Sequence, residues 1–155
     1  MSAFASEPRN VLVLFSNSRL APGNSEVDRG LRAALSDASP PVHLFYEFLD
    51  SPEFDGMAHQ RAVMGYLRAK YASRPPVALL TFSDAAYEFA ALHRTALFPS
   101  ARWIYGAVAP ALLKRRPPPT DGVGVDIDDD FSGTITQALR WHPDATVEVV
   151  DTGPT

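Results

Sequence analysis

NVLVLFSNSRLAPGNSEVDRG, residues Asn10 to Gly30, decides the fold. It opens with an unbroken apolar run, Val11-Leu12-Val13-Leu14-Phe15. A strand that is apolar at every position is buried on both faces, as a parallel sheet requires. The run breaks into Ser16-Asn17-Ser18, passes through a loop with Pro22 and Gly23, and becomes periodic again at Glu26. A polar loop between a buried strand and a helix is where open α/β sheets bind their ligands.

The rest of the chain repeats that alternation. Asn24-Ser25 offers N-caps to a first helix whose inward face is Val27, Leu31, Ala34 and Leu35. Pro40-Pro41 stops it, and Val42 to Leu49 reads as a second strand. A second helix runs from about Gly56 to Ala72, with Ala58, Ala62, Val63, Tyr66, Leu67 and Tyr71 on one stripe. Val77 to Phe82 is the third strand. Ser83-Asp84 caps a third helix that carries Ala86, Phe89, Ala90, His93 and Leu97 inward. Trp103 to Val108 is the fourth strand, and a short helical piece spans Ala109 to Leu113. Gly122 to Ile127 reads as a fifth, edge strand. Asp129 or Asp130 caps a fourth long helix, Phe131 to Trp141, with Phe131, Ile135, Ala138 and Leu139 inward. Thr146 to Val150 reads as a last strand.

Strands alternating with helices require right-handed crossovers, hence a parallel sheet covered on both faces. The expected fold is α/β, three-layer α/β/α, with a parallel sheet of about five strands in the flavodoxin-like order 2-1-3-4-5. The cleft then lies at the carboxyl ends of strands one, three and four. One α/β lobe is expected over 10–150, with flexible ends at 1–9 and 151–155.

The chain has 155 residues, 46% of them hydrophobic, which suits one domain with a sizeable core. Lys+Arg 14 against Asp+Glu 18 gives a net charge of −4, which argues against a nucleic-acid partner. The basic cluster Lys114-Arg115-Arg116 abuts Pro117-Pro118-Pro119 and reads as a solvated linker. With no cysteine there is no disulfide, thiolate metal site or thiol nucleophile. No apolar run approaches the roughly 18 residues of a membrane span. Ala3-Phe4-Ala5 fits the small-x-small pattern that ends a secretory signal, which points to an exported segment; an arbitrary start explains the same residues, and a cytoplasmic placement stays open.

The strand ends supply the candidate site: Ser16, Asn17, Ser18 and Arg19 after strand one, Ser83 and Asp84 after strand three, and Gly106 on strand four. Backbone N–H groups at the third helix's start can hold an anion, and hydroxyls beside them can orient a small polar ligand. Plain helix capping is the competing reading of Ser83 and Asp84. Tyr46 and Tyr87 are candidate walls of the cleft mouth, with core packing as the alternative.

Catalytic and cofactor signatures do not match. The loop after strand one has a single glycine where a dinucleotide fold needs G-x-G-x-x-G, and no P-loop is present. Ser16-Asn17 cannot supply the acid pair of a phospho-receiver, though Asp84 stands where the acceptor would. Thr81 to Ala85 lacks the glycines of a nucleophile elbow. Asp126, Asp128, Asp129 and Asp130 lack the spacing of a Ca²⁺ loop, and a strand end plus an N-cap explains them. No two of His43, His59, His93 and His142 are four residues apart. No catalytic residue, metal or cofactor is expected.

VLVLFSNSRLAPGNSEVDRGLRAAL, FYEFLDSPEFDG and YLRAKYASRPPVALLTFSDAAYEF resemble the region ahead of the transmembrane segment in some bacterial sensor histidine kinases. That region is similar to type I periplasmic binding proteins of the ABC-transporter substrate-binding group. VGVDIDDDFSGTITQALRWHPDATVEVV resembles the link into a second lobe. The resemblance implies the first lobe of a non-catalytic, extracytoplasmic sensing domain in a two-component system. The small-molecule ligand, an amino acid or small organic acid, would lie on Ser16, Asn17, Ser83 and Asp84. The kinase chemistry would lie in the remainder of the chain. A stand-alone transporter solute-binding protein fits the same likeness, and a flavodoxin-like enzyme or phospho-receiver using Asp84 is the alternative outside it. An uncovered half-cleft also points to a homodimer.

Overall fold

Five strands lie side by side, all parallel, in the order β2-β1-β3-β4-β5. The computed structural model describes residues 8–125 and 131–141. The strands are β1 Arg9–Phe15, β2 Val42–Phe48, β3 Ala78–Phe82, β4 Arg102–Gly106 and β5 Gly122–Val125. The helices are α1 Pro22–Leu35, α2 Gly56–Tyr71, α3 Asp84–Leu97, α4 Pro110–Arg115 and α5 Phe131–Trp141. The expected order 2-1-3-4-5 and the flavodoxin-like α/β architecture are therefore present. The fifth strand is described only to Val125. The acidic run from Asp126 to Asp130, His142 and the strand expected over Thr146 to Val150 lie outside the described residues. So do the side chains of Phe131, Ile135 and Ala138.

β1 occupies the sheet interior, paired with β2 on one side and β3 on the other. Its alternate residues supply two separate cores. Leu12 and Leu14 join Leu79, Trp103, Tyr105, Leu67, Tyr71 and the α3 residues Ala86, Tyr87, Phe89 and Ala90. Val11, Val13 and Phe15 join Leu80, with Val27 and Leu31 of α1 packed against them. Each fully buried Leu, Val or Phe contributes roughly 1.5–3 kcal/mol relative to exposure. That return explains why a run with no polar residue is stable here.

Local differences from the sequence reading have physical causes. α1 begins at Pro22, not after an Asn24-Ser25 cap. Proline suits the first helical position, where its missing N–H would be unsatisfied anyway. Asn24 instead turns back, donating from Nδ2 to Asn17 Oδ1 and to the Ser18 carbonyl, both at 2.9 Å. Ala34 is exposed rather than inward. In α2 the packed stripe is Val63, Met64, Leu67 and Tyr71; Ala58, Ala62 and Tyr66 are exposed on its flank. Tyr66 faces a polar cluster in which Glu47 accepts from Tyr71 Oη at 2.7 Å and pairs with Lys70 at 2.7 Å. Among the described residues, no helix is long and apolar enough to cross a membrane.

Thr81 is buried in the centre of the sheet, and its Oγ1 accepts from the Trp103 indole N–H at 3.0 Å. Thr81→Val keeps the shape and leaves that donor buried without an acceptor. Stability should fall by about 1–3 kcal/mol, read as a lower urea midpoint at unchanged slope.

Burial raises the Tyr71 phenol above its ordinary 10.0 and pushes Tyr46 up to about 12, and the hydrogen bond to Glu47 raises the Lys70 ammonium. Each group therefore holds its proton longer in the folded chain. Their stabilisation is complete below about pH 10 and is lost as pH rises, because the unfolded chain releases those protons first. Urea midpoints should be flat through neutral pH and decline above about pH 10, and Tyr71→Phe should make the decline shallower.

Candidate functional site

The carboxyl ends of β1 to β4 surround a cleft of about 530 Å³. Ser16 and Asn17 reach it from β1, Ser51 and Pro52 from the loop after β2, Ser83 and Asp84 from β3, and Ala107 from β4. Backbone hydrogen bonds fix these loops to one another. Ser16 N–H donates to the Phe82 carbonyl at 3.2 Å, Ser51 N–H to the Ser16 carbonyl at 2.8 Å, and Ser83 N–H to the Gly106 carbonyl at 3.1 Å.

The rim carries unusual backbone. Asp50, Ser83 and Ala107 are non-glycine residues in the left-handed region, with φ of 51°, 71° and 56°. Each follows a strand that ends at the cleft. Ser83 combines φ 71° with ψ 169°, a region occupied almost only by glycine. Such positions cost of order 1–3 kcal/mol each and persist only where surrounding structure imposes them. Two of them, Ser83 and Ala107, line the cleft, and Asp50 immediately precedes the lining residue Ser51.

Ser16 organises the interior of this rim. It is buried, and its hydroxyl has two partners: Oγ donates to the Phe82 carbonyl at 3.0 Å and accepts from Ala86 N–H at 2.8 Å. The second bond satisfies an orphan donor in the first turn of α3, the task of an N-cap side chain. Ser83 occupies the cap position but makes no side-chain cap bond, so its hydroxyl is left to the cleft. Asp84 is the first helical residue, and its Oδ1 accepts from Ala109 N–H at 2.8 Å. That bond joins the start of α3 to the loop after β4. Asp84 is the only charged side chain lining the cleft among the described residues.

The structure brings together four of the nine candidate residues: Ser16, Asn17, Ser83 and Asp84. The other five lie elsewhere. Ser18 is exposed, and its carbonyl serves Asn24 and Ala21 inside the loop. Arg19 projects to the opposite side of the loop, into a separate groove between α1 and β2. Tyr46 lines that same groove and does not reach the cleft mouth. Gly106 supports the rim from below: its carbonyl holds Ser83, and a Cβ there would stand 3.2 Å from the Phe82 ring. Tyr87 is 0% exposed. Its ring packs on Trp103 and Tyr105, with centroids at 4.9 and 5.2 Å, and Oη donates to the Arg116 carbonyl at 2.7 Å. It is a core residue. Sequence reasoning missed Ser51 and Ala107. The strand order 2-1-3 brings the loop after β2 beside Ser16, so the fold assignment itself could have added Ser51.

Ser16→Ala strands the Ala86 N–H in a buried turn. The expected loss is about 1–3 kcal/mol in denaturant unfolding, with faster amide exchange in the first turn of α3 than in its centre. No family model, curated protein or solved structure matches this chain, so the site is read from its geometry alone.

Proposed function

We propose that this chain is a non-catalytic sensing lobe that holds a small amine-bearing solute, of the amino-acid type, in the strand-end cleft. The observation that carries the reading is the convergence on one cleft of two left-handed non-glycine residues, Ser83 and Ala107, with a set of hydroxyl, amide and carboxylate groups. The volume lies within the range of small-molecule sites. Among the described residues, Asp84 keeps one carboxylate oxygen free of hydrogen bonds, suited to a ligand ammonium. The amides of Asp84 and Ala85 have no partner among the described residues and suit a ligand carboxylate at the start of α3. Ser51 and Ser83 supply hydroxyls that can set its orientation.

In this reading the lobe belongs to an extracytoplasmic sensor domain of a membrane-bound histidine kinase, as the sequence resemblance implies. Ligand binding would draw a second lobe onto the cleft and shift a population between two states, with the signal carried by the remainder of the chain. The hydrogen-bonded rim suits that role, because it presents preformed groups on the ends of buried strands.

A thermal-shift screen of the chain against the common amino acids and small organic acids tests the reading. At about 100 times its dissociation constant, a ligand adds about 2.7 kcal/mol and should raise the melting temperature by about 5 °C or more. Asp84→Asn should abolish the shift. No shift with any compound, for this chain and for one extended through the second lobe, would overturn the proposal. Stable acetyl-phosphate labelling of Asp84 would overturn it in favour of a phosphoacceptor.

A further inference from the structure

A second depression, of about 480 Å³, lies between α1 and β2 and shares no lining residue with the strand-end cleft. β2 is the sheet edge, and Leu44, Tyr46 and Phe48 stand in register with Val11, Val13 and Phe15. They therefore point to the same face, where they remain only partly buried. α1 covers this face with Val27 and Leu31, and presents Ser25, Asp28 and Arg32 toward the edge strand. Those positions, three and four residues apart, form one stripe on the helix. The result is an aromatic floor with a polar wall.

The floor is ordered as a platform. The Phe48 ring stacks on Phe15 with centroids 5.5 Å apart and planes 12° from parallel. The Tyr46 ring is 7° from parallel to Phe15 at 6.4 Å. A planar ligand ring extends this arrangement at the open side, where offset stacking of aromatic rings is worth about 0.5–1.5 kcal/mol beyond area burial.

The polar groups select the sign of the ligand. Asp28 is taken up by Arg32, which binds it through Nε at 2.8 and 3.0 Å and lies over the Tyr46 ring at 5.6 Å. Arg19 stands at the mouth with no carboxylate partner among the described residues. Two guanidinium groups against one carboxylate leave the groove with an excess positive charge. The Tyr46 hydroxyl is buried beside Asp28 and Arg32, and its interactions with both tie the aromatic floor to the polar wall.

We propose that this groove is a separate binding site for a planar aromatic carboxylate, its ring on the Phe48–Tyr46 platform and its carboxylate on Arg19. Arginine is suited to that contact because its planar fork can meet a carboxylate through two hydrogen bonds. The site stands apart from the strand-end cleft and does not depend on what that cleft binds.

The test is a fluorescence titration of the chain with 2-naphthoate, with 2-naphthamide as its neutral twin. Saturable binding of the acid is expected, with the amide about tenfold weaker or more. Arg19→Gln, at an exposed loop position that should not disturb folding, should weaken the acid by a similar factor and leave the amide unchanged. Asp84→Asn, in the other cleft, should leave both affinities unchanged. Absence of saturable binding, equal affinity for acid and amide, unchanged affinity in Arg19→Gln, or loss of binding in Asp84→Asn would each overturn the proposal.

Discussion

One serine hydroxyl joins the parts of this molecule that sequence separation keeps apart. Ser16 Oγ reaches a carbonyl 66 residues away and an amide 70 residues away. It lies at the end of an interior strand, so these bonds tie β1 to the end of β3 and to the first turn of α3. A serine can do both because its hydroxyl donates once and accepts as well. The geometry requires β1 and β3 to be neighbours and α3 to start at once after β3. Ser83 makes that immediate start possible by taking a backbone conformation that serine ordinarily avoids. The strain at Ser83 and the cap from Ser16 are thus two parts of one turn. Ser83 alone separates the end of the strand from the start of the helix, and the orphan donor is satisfied from a different strand.

Most of the fold was legible because its determinants are local. Val11 to Phe15 admits no solvent-facing position, Pro40-Pro41 and Pro75-Pro76 interrupt helical periodicity, and the alternation of strand and helix leaves few topologies. The site was only half legible because its determinants are not local. Ser83-Asp84 before a helix looks like a cap pair, yet the cap bond comes from Ser16. Left-handed backbone is signalled in sequence by glycine or asparagine. Asp50, Ser83 and Ala107 carry little or none of that signal. Tyr87 looked available to a ligand because an aromatic one turn into a helix can face either the loop or the sheet. Packing against Trp103 and Tyr105 decides for the sheet.

That aromatic packing also explains the small residues on the neighbouring strands. Tyr105 lies over Gly124 of β5 so closely that a Cβ there would stand 2.4 Å from its ring. On the opposite face Gly106 makes room for Phe82. Glycine inside a strand weakens it, and each of these is compensated by a large ring that occupies the vacated space. Phe82 in turn stacks on Phe15 at 5.5 Å, and Phe15 on Phe48, so rings run across three adjacent strands beneath the loop after β1. The polar groups of that loop rest on a floor that large buried side chains hold in place.

The loop divides what the sequence presented as one polar ledge. Asn24 reaches back from α1 to both Asn17 and the Ser18 carbonyl, closing the loop on itself. Ser16 and Asn17 are then held on the strand-end side, while Arg19 falls on the side of β2. The division separates charge as well as space. The cleft after β3 has Asp84 as its only charged side chain among the described residues, and the groove beside β2 has an arginine in excess. Had all four ledge residues faced one cleft, Arg19 and Asp84 would have opposed each other there, and each would have offset the other's attraction for a charged solute. Placed on opposite sides of a loop that a single asparagine closes, each keeps its own sign of selectivity.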